Sequence, residues 1–184
     1  MGSASVVRTG RAEDAAAMAR VHVAGWRETY RGLMCDEVLD DPGFVATRER
    51  FWTAALTDSR FAHNRITVAE VDGTIIGIAM SGPPMDGDTT RQLYVLYVLA
   101  AHHGSGAGPE LLHAVVDRQE TTSLWVADPN PRAQAFYRRH GFGPDGEERV
   151  EDGLRELRLL RPADPVPADP VPADPAPSDP ELTP

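Results

Sequence analysis

The spacing of apolar residues divides the first third of the chain into one short extended run and two helical ones. Residues 6–9 form a short β-like run, and apolar positions then recur every three or four residues over 15–30 and again over 44–56. Such spacing places the apolar side chains on one face of an α-helix. A strand followed by two amphipathic helices is therefore predicted.

Two extended runs follow and form the most clearly marked hairpin of the chain. Residues 65–71 and 74–80 are rich in β-branched side chains and are joined by Asp72 and Gly73. An Asp-Gly pair supplies the positive φ angles of a type I′ turn, which connects antiparallel strands through two residues. Further on, residues 93–99 form an unbroken apolar run, as expected of a central strand that is covered on both faces.

The second half of the chain continues the alternation of helices and strands. The pattern predicts a helix with Pro109 in its first turn, a strand over 123–127, a helix over 131–140 and a hairpin of 147–150 with 154–160. The predicted order is β, α, α, β, β, β, α, β, α, β, β. Antiparallel hairpins at both ends and one βαβ crossover in the middle indicate a three-layer α/β fold of the α+β kind, in which helices flank one mixed sheet.

The C-terminal segment differs in composition from the rest and divides the chain into two parts. Nine of the 16 prolines lie within 162–184, where Ala-Asp-Pro-Val-Pro repeats and no basic residue occurs. Such a segment cannot bury a core of its own. We therefore expect one globular domain over 1–161 and a low-complexity tail over 162–184, which is either a solvated acidic extension or a docking arm.

The charged residues exclude several classes of chemistry. The 18 basic residues are all arginine, so the chain has neither a P-loop lysine nor a lysine that could form a Schiff base with pyridoxal phosphate. The net charge is −10, and no arginine-rich stripe is present. This balance argues against a nucleic-acid partner and mildly favours cationic ligands.

Cysteine content and hydropathy bear on metal sites and on location. Cys35 is the single cysteine, so neither an internal disulfide nor a Cys-x-x-Cys metal cluster is expected. The N-terminus lacks a basic segment followed by an apolar stretch, and no window approaches the roughly 18 apolar residues of a membrane span. We therefore expect a cytoplasmic protein with neither a bound metal nor a membrane partner.

A glycine-rich turn follows the predicted central strand. Its consecutive residues are His103, Gly104, Ser105, Gly106, Ala107 and Gly108. A strand that ends in such a turn before a helix points several backbone N–H groups at one spot, and that spot attracts phosphate. The glycine spacing does not match the G-x-G-x-x-G dinucleotide fingerprint. The alternatives at this point are a different phosphate-bearing ligand and a turn without a ligand.

A second motif stands about 20 residues further along, where a predicted strand leads into a predicted helix. Its characteristic residues are Asn130, Phe136, Tyr137, Gly141 and Phe142. Together with the glycine-rich turn, this motif resembles the GNAT superfamily of acetyl-CoA-dependent N-acetyltransferases. The resemblance extends over about 6–161 and is strongest over 93–142.

The resemblance implies a cofactor and roles for individual residues. In GNAT proteins two central strands splay apart, and one of them offers backbone groups to pantetheine; the matching residues here are Leu96, Tyr97 and Val98. The turn over 103–108 matches the segment that cradles the pyrophosphate of acetyl-CoA. Asn130 matches an asparagine near the cofactor, and Tyr137 matches the tyrosine whose hydroxyl protonates the departing CoA thiolate. Two helical turns separate them, so both are expected to face the cofactor cleft.

Some positions depart from the family pattern. His103 replaces the usual Gln or Arg at the head of the turn, and Pro109, expected at the first helical position, removes one N–H. Gln92 and Trp125 stand where some members carry a glutamate as general base. The remaining candidates for that base are His22, Glu28, His102 and Asp128.

The function implied is transfer of an acetyl group from acetyl-CoA directly to a primary amine of a small molecule or peptide. The family builds its acceptor pocket from the first helix pair, whose aromatic residues are Trp26, Tyr30, Phe51 and Trp52. Family members often dimerise, so a homodimer is compatible with the resemblance. The missing glutamates leave a non-catalytic acyl-CoA-binding or sensor module as the alternative function.

Overall fold

The structure is a computed structural model that describes residues 4–84, 89–151 and 153–165. The strands are Val6–Thr9 (β1), Arg65–Val71 (β2), Thr74–Gly82 (β3), Arg91–Val98 (β4), Thr122–Ala127 (β5), Gly143–Glu151 (β6) and Leu154–Arg161 (β7). The α-helices are Ala15–Tyr30 (α1), Asp36–Leu39 (α2), Phe44–Thr57 (α3), Ala107–Val115 (α4) and Pro131–Arg139 (α5). All the elements predicted from the pattern are present, and the one-turn helix α2 is an addition to them.

The strands form one mixed sheet in the order β1-β2-β3-β4-β5-β7-β6. Every neighbouring pair is antiparallel except β4 and β5, which are parallel and are connected through α4. The β2–β3 hairpin turns through Asp72 and Gly73, whose φ angles of 50° and 76° are both positive, as a type I′ turn requires. The predicted hairpins and crossover are therefore confirmed.

Helices cover both faces of the sheet and bury a separate apolar core on each. On the α4 face, which α4 and α5 cover, the core includes Leu111, Leu124 and Phe142. On the α1 face, which α1 and α3 cover, it includes Met18 and Trp52. Strand β4 contributes to both cores, with Leu93 in the first and Val95 in the second. This explains why the sequence of β4 is apolar throughout.

The two parallel strands in the middle of the sheet separate after three residues. Arg91, Gln92 and Leu93 of β4 lie in register with residues 122–124 of β5. Beyond Leu93, β4 is paired with β3 alone, and the later residues of β5 are paired with β7 alone. The result is a gap between the two strands that opens toward their C-terminal ends.

Several boundaries differ from the sequence prediction, among them the start of β6, which begins at Gly143 and not at 147, the start of α4 and the end of the domain. Helix α4 begins at Ala107, so Pro109 is its third residue; it still lies in the first turn, where the missing N–H breaks no intrahelical bond. At the end of the domain, the N–H groups of Ala163 and Asp164 bond to Thr121 Oγ1 (3.3 Å) and to the Arg118 carbonyl oxygen (2.7 Å). The domain body thus reaches a few residues beyond 161, and the predicted tail from 166 onward lies outside the described residues.

No helix within the described part of the chain is long and apolar enough to cross a membrane.

Candidate active site

A cleft of about 1270 Å³ occupies the gap between β4 and β5 and reaches both faces of the sheet. Nine of the eleven site residues predicted from the sequence line it. The other two belong to the glycine-rich turn: Ser105, which is exposed, and Ala107, which is buried. Residues of α1 and α3 form the opposite wall. The fold therefore brings the two motifs of the α4 face and the aromatic residues of the α1 face to one cleft.

The backbone of β4 presents polar groups to the cleft. The N–H of Leu99 donates to the Ile76 carbonyl oxygen on β3 at 2.9 Å. Because alternate residues of a strand direct their N–H and C=O groups to opposite sides, those of Leu96 and Val98 point away from β3 and toward the gap. The Val98 carbonyl accepts a hydrogen bond from Nε2 of His103 at 2.7 Å. His103 thus fixes the end of β4 and does not extend its ring along the turn.

The glycine-rich turn directs free N–H groups outward. Gly104 and Gly106 have φ angles of 83° and 94°, which glycine adopts without strain. Among the described residues, none accepts a hydrogen bond from the backbone N–H of Gly104, Gly106 or Gly108. Apart from the adjacent residues in the chain, no described residue has an atom within 4 Å of where a Cβ would stand at Gly104 or Gly106. The turn is therefore an open cradle with unpaired donors at the start of a helix, which is the chemistry that holds a phosphate.

Asn130 and Tyr137 both line the cleft but differ in what they do locally. Asn130 is the N-cap of α5, and its Oδ1 accepts a hydrogen bond from the N–H of Ala133 at 3.1 Å. The ring of Tyr137 packs edge-on against Phe136 and Phe142, with centroids 5.3 and 5.7 Å apart. Within the described residues its hydroxyl has no hydrogen-bond partner.

Three tyrosines, Tyr30, Tyr97 and Tyr137, line the cleft. The oxygens of Tyr30 and Tyr97 lie 3.4 Å apart. Burial raises the pKa of Tyr97 and of Tyr137, and the electrostatic influence of Tyr30 raises both further. Burial likewise raises the pKa of Tyr30. All three hydroxyls therefore stay protonated at neutral pH, and one of the Tyr30–Tyr97 pair donates to the other.

Gly25 allows α1 to approach Tyr97 closely. A Cβ at this position would lie 2.8 Å from Cδ1 of the Tyr97 ring and 3.0 Å from its Cβ. Any side chain at position 25 would therefore displace the tyrosine. The close approach places Tyr30, one and a half turns along α1, against the Tyr97 hydroxyl.

His22 is buried and neutral, which makes it a poor general base. Its Nδ1 accepts a hydrogen bond from Nε1 of Trp52 at 3.2 Å, and its ring lies 5.4 Å from that of Tyr97. Burial lowers its pKa to about 3, with Arg48 as a further cause. A group with such a pKa does not take a proton from an ammonium ion at neutral pH. His22 positions aromatic neighbours.

The other candidate bases occupy different surroundings. Glu28 lines the cleft, and its carboxylate accepts a hydrogen bond from the N–H of Ala100 at 3.0 Å. His102 also lines the cleft. Asp128 is absent from the cleft wall and pairs with Arg155 at 2.9 Å.

Sequence reasoning missed Glu156 of β7. Leu157 and Leu159 pack on the α4 face, so alternation along the strand turns Glu156 to the α1 face, where it lines the cleft. Arg149 binds its carboxylate at 2.7 Å, and its side chain is 14% exposed. Its charge reaches Tyr30 and contributes to raising the pKa of that phenol. No local motif marks Glu156; only the pairing of β7 with β5 identifies it.

The charge of the cleft is opposite to that of the chain. Among the described residues that line it, the charged ones are Glu28, Glu156, Arg48, Arg60, Arg132, Arg139 and Arg149. The net charge of −10 therefore does not extend to this surface. The expectation of a cationic ligand, which rested on that net charge, does not describe the cleft.

The chain is similar in sequence and fold to known proteins. Residues 26–142 match the model of the acetyltransferase (GNAT) family, a span that includes both motifs. The chain is 26% identical over 144 residues to the probable N-acetyltransferase Rv2775 of Mycobacterium tuberculosis, which covers 76% of this chain and 80% of the relative. It is 36% identical over 110 residues to the uncharacterized N-acetyltransferase Rv2669 of the same species. This match covers 52% of this chain and 67% of the relative.

A solved structure with the same fold is the PaiA N-acetyltransferase of Thermoplasma acidophilum in complex with coenzyme A. Its TM-score is 0.66 at 17% sequence identity, and the match covers 84% of this chain and 98% of that one. The extent of the family match, together with the splayed strands, identifies the family. The chain belongs to the GNAT family of acetyltransferases, whose acetyl donor is acetyl-CoA.

Proposed function

We propose that this protein transfers the acetyl group of acetyl-CoA to a primary amine by direct attack, without an acyl-enzyme. The observation that carries the proposal is the gap between β4 and β5. It joins a phosphate cradle on the α4 face to an aromatic pocket on the α1 face, with three tyrosine hydroxyls near the passage. Two substrates can enter from opposite faces and meet in the gap, which is how positioning accelerates a two-substrate reaction.

The residues of the α4 face fit coenzyme A. The free N–H groups of Gly104, Gly106 and Gly108 suit its pyrophosphate, and the exposed side chains of Arg132 and Arg139 on α5 add positive charge beside them. The outward backbone groups of β4 suit the amides of the pantetheine arm. When bound, acetyl-CoA supplies an acetyl group activated as a thioester.

Three groups of this chain would act on the reacting atoms. A backbone N–H of β4 that faces the gap, at Leu96 or Val98, polarises the carbonyl oxygen. The Tyr137 hydroxyl, held protonated by burial, donates a proton to the sulfur as the C–S bond breaks. Glu156 attracts the ammonium form of the acceptor and holds it by a hydrogen bond, directly or through water, while the amine releases a proton to solvent and attacks in its neutral form.

Thiol release with a panel of primary amines tests the proposal, and calorimetric titration with acetyl-CoA accompanies it. The expected result is binding of acetyl-CoA together with acceptor-dependent release of CoA. Binding without release for any amine would favour the non-catalytic acyl-CoA module. Absence of both binding and release would overturn the proposed function.

We also propose that the acetyltransferase activity belongs to the globular domain and that the proline-rich tail is dispensable for it. Because Ala163 and Asp164 still bond to the domain body, the informative truncation ends at Pro165. Such a truncation should keep kcat/KM within about twofold of that of the full chain, as expected for removal of a segment without a core. A larger loss would assign the tail a part in the reaction.

A further inference from the structure

Arg48 of α3 lines the cleft on the α1 face and has no carboxylate partner among the described residues. Its guanidinium lies over the ring of Trp26 at 4.8 Å and near that of Phe44 at 5.1 Å. Its Nε is buried and has no hydrogen-bond partner. No carboxylate of the described residues lies within ion-pair distance of it.

Two other arginines that line the cleft form ion pairs with carboxylates. Arg60 pairs with Asp58 at 2.7 Å, and Arg149 pairs with Glu156 at 2.7 Å. The side chains of Arg60 and Arg149 are more exposed than that of Arg48, which is half-buried. Burial lowers the pKa of Arg48, and the electrostatic influence of Tyr97 offsets this only in part. A cation that is partly removed from water and lacks a partner is costly, and an anion beside it offsets that cost.

We propose that the acceptor is a small amine that also bears a carboxylate, and that Arg48 binds this carboxylate on the aromatic wall of the pocket. This inference rests on the proposed function and specifies its substrate. Planar guanidinium groups bind carboxylates through two parallel hydrogen bonds, and Arg48 lines the cleft in which such a carboxylate would lie. One arginine neutralises one negative charge, which favours a carboxylate over a phosphate of higher charge.

The position of Arg48 relative to the gap supports an amino-acid-like acceptor. The charge of Arg48 reaches Tyr97, which in turn touches Tyr30 and lies within electrostatic range of Tyr137. Glu156 acts on Tyr30 from the other side. The pocket thus holds a cation at Arg48 and a carboxylate at Glu156, both within electrostatic range of tyrosines at the gap, and this pair of charges complements an acceptor that bears a carboxylate and an ammonium group.

A binding experiment tests this inference independently of turnover. The probes are phenylacetate and its uncharged counterpart phenylacetamide, titrated into the full chain by calorimetry. We expect phenylacetate to bind more tightly, and Arg48→Gln to weaken its binding by about 10- to 100-fold while changing that of phenylacetamide by less than about twofold. Arg48→Lys keeps the charge but loses the planar fork, so an intermediate loss is expected.

The control variant is Arg50→Gln, which removes an exposed arginine from the same helix outside the cleft wall. It should leave both affinities unchanged. A wild-type protein that does not prefer phenylacetate, or an Arg48→Gln protein that keeps the preference and a native melting curve, would overturn the inference. If both Arg48 variants fail to fold, the wild-type preference alone decides.

A second arm uses acetylation of L-phenylalanine and L-phenylalaninamide. The measured quantity is kcat/KM for L-phenylalanine divided by kcat/KM for L-phenylalaninamide. Because this ratio is compared between each variant and wild type, the different basicity of the two amines cancels. We expect Arg48→Gln to lower this ratio at least tenfold. An unchanged ratio contradicts the role of Arg48. Absence of turnover with every acceptor, alongside a normal preference for phenylacetate, would instead contradict the proposed catalytic function.

Discussion

The hydroxyl oxygens of Tyr30 on α1 and Tyr97 on β4 lie 3.4 Å apart, which ties the acceptor wall of the cleft to the strand that borders the gap. Tyr137, on α5, is electrostatically coupled to both of them. The three phenols therefore form one group of protonated donors drawn from three elements. Within this group only Tyr137 combines a location on the α4 face with a hydroxyl that no described residue engages.

Replacement of Tyr137 by phenylalanine tests its role as the acid. The variant keeps the aromatic contacts with Phe136 and Phe142, so its melting temperature should stay close to that of wild type. Its kcat should fall about tenfold or more, because the departing thiolate loses its proton donor. Acetyl-CoA affinity, measured by calorimetry, should change little. Unchanged turnover would remove Tyr137 from the mechanism.

Substitution in the glycine-rich turn tests the phosphate cradle. Gly106→Ala places a side chain on a residue with a φ angle of 94°, which should destabilise the fold by roughly 1–2 kcal/mol and weaken acetyl-CoA binding. In Gly108→Ala, the new Cβ meets Phe136 at an ordinary 3.5 Å. That variant should be as stable as wild type or more so, by up to about 1 kcal/mol. Urea unfolding measures the stability of both variants. Equal stabilities would contradict the requirement for a positive φ angle at Gly106.

Gly25 tests the close approach of α1 to Tyr97. Alanine at a helical position normally gains about 1 kcal/mol over glycine. At position 25 the new Cβ would lie 2.8 Å from the tyrosine ring, and overpacking of this kind costs about 1–3 kcal/mol. The clash should prevail, so Gly25→Ala should lower the free energy of unfolding and raise KM for the acceptor. A stabilised variant with unchanged KM would contradict the contact.

The buried His22 predicts a pH dependence of stability. Its pKa is about 3 in the folded chain and about 6.5 when unfolded, so between these values the unfolded state binds more protons. Stability should therefore fall as the pH drops below about 6.5, with a loss of about 1.4 kcal/mol between neutrality and pH 5.5. Urea unfolding at pH 7.5 and 5.5 measures it.

His22→Gln is the matched variant for this measurement, because its side-chain oxygen can still accept the hydrogen bond from Trp52. The variant should lose most of the pH dependence in this window. An equal dependence in both proteins would mean that other groups cause it.

Much of the fold could be predicted from the sequence because its elements carry local signals. The Asp72-Gly73 pair specifies its turn, and the unbroken apolar run of β4 reflects two helical layers that cover it. Helix α2 was missed because its four residues are too few to show a period. The predicted start of α4 was wrong because proline favours the first helical position, whereas Pro109 is the third residue of the helix, where its missing N–H also breaks no intrahelical bond.

The site was only partly predictable, for a physical reason. The turn over 103–108 and Tyr137 belong to contiguous motifs, whereas Glu156 and Arg48 become site residues through long-range packing. Arg48 enters the cleft because α3 packs on α1, and Glu156 because β7 pairs with β5. Net charge was misleading for the same reason, since it averages over surfaces that the ligands do not touch.

The decisive experiment is a crystal structure with bound coenzyme A. We expect the pyrophosphate to accept hydrogen bonds from backbone N–H groups within 103–108 and the sulfur to lie in the gap beside the Tyr137 hydroxyl. Coenzyme bound elsewhere, or a Tyr137 hydroxyl directed away from the sulfur into the core, would contradict this expectation.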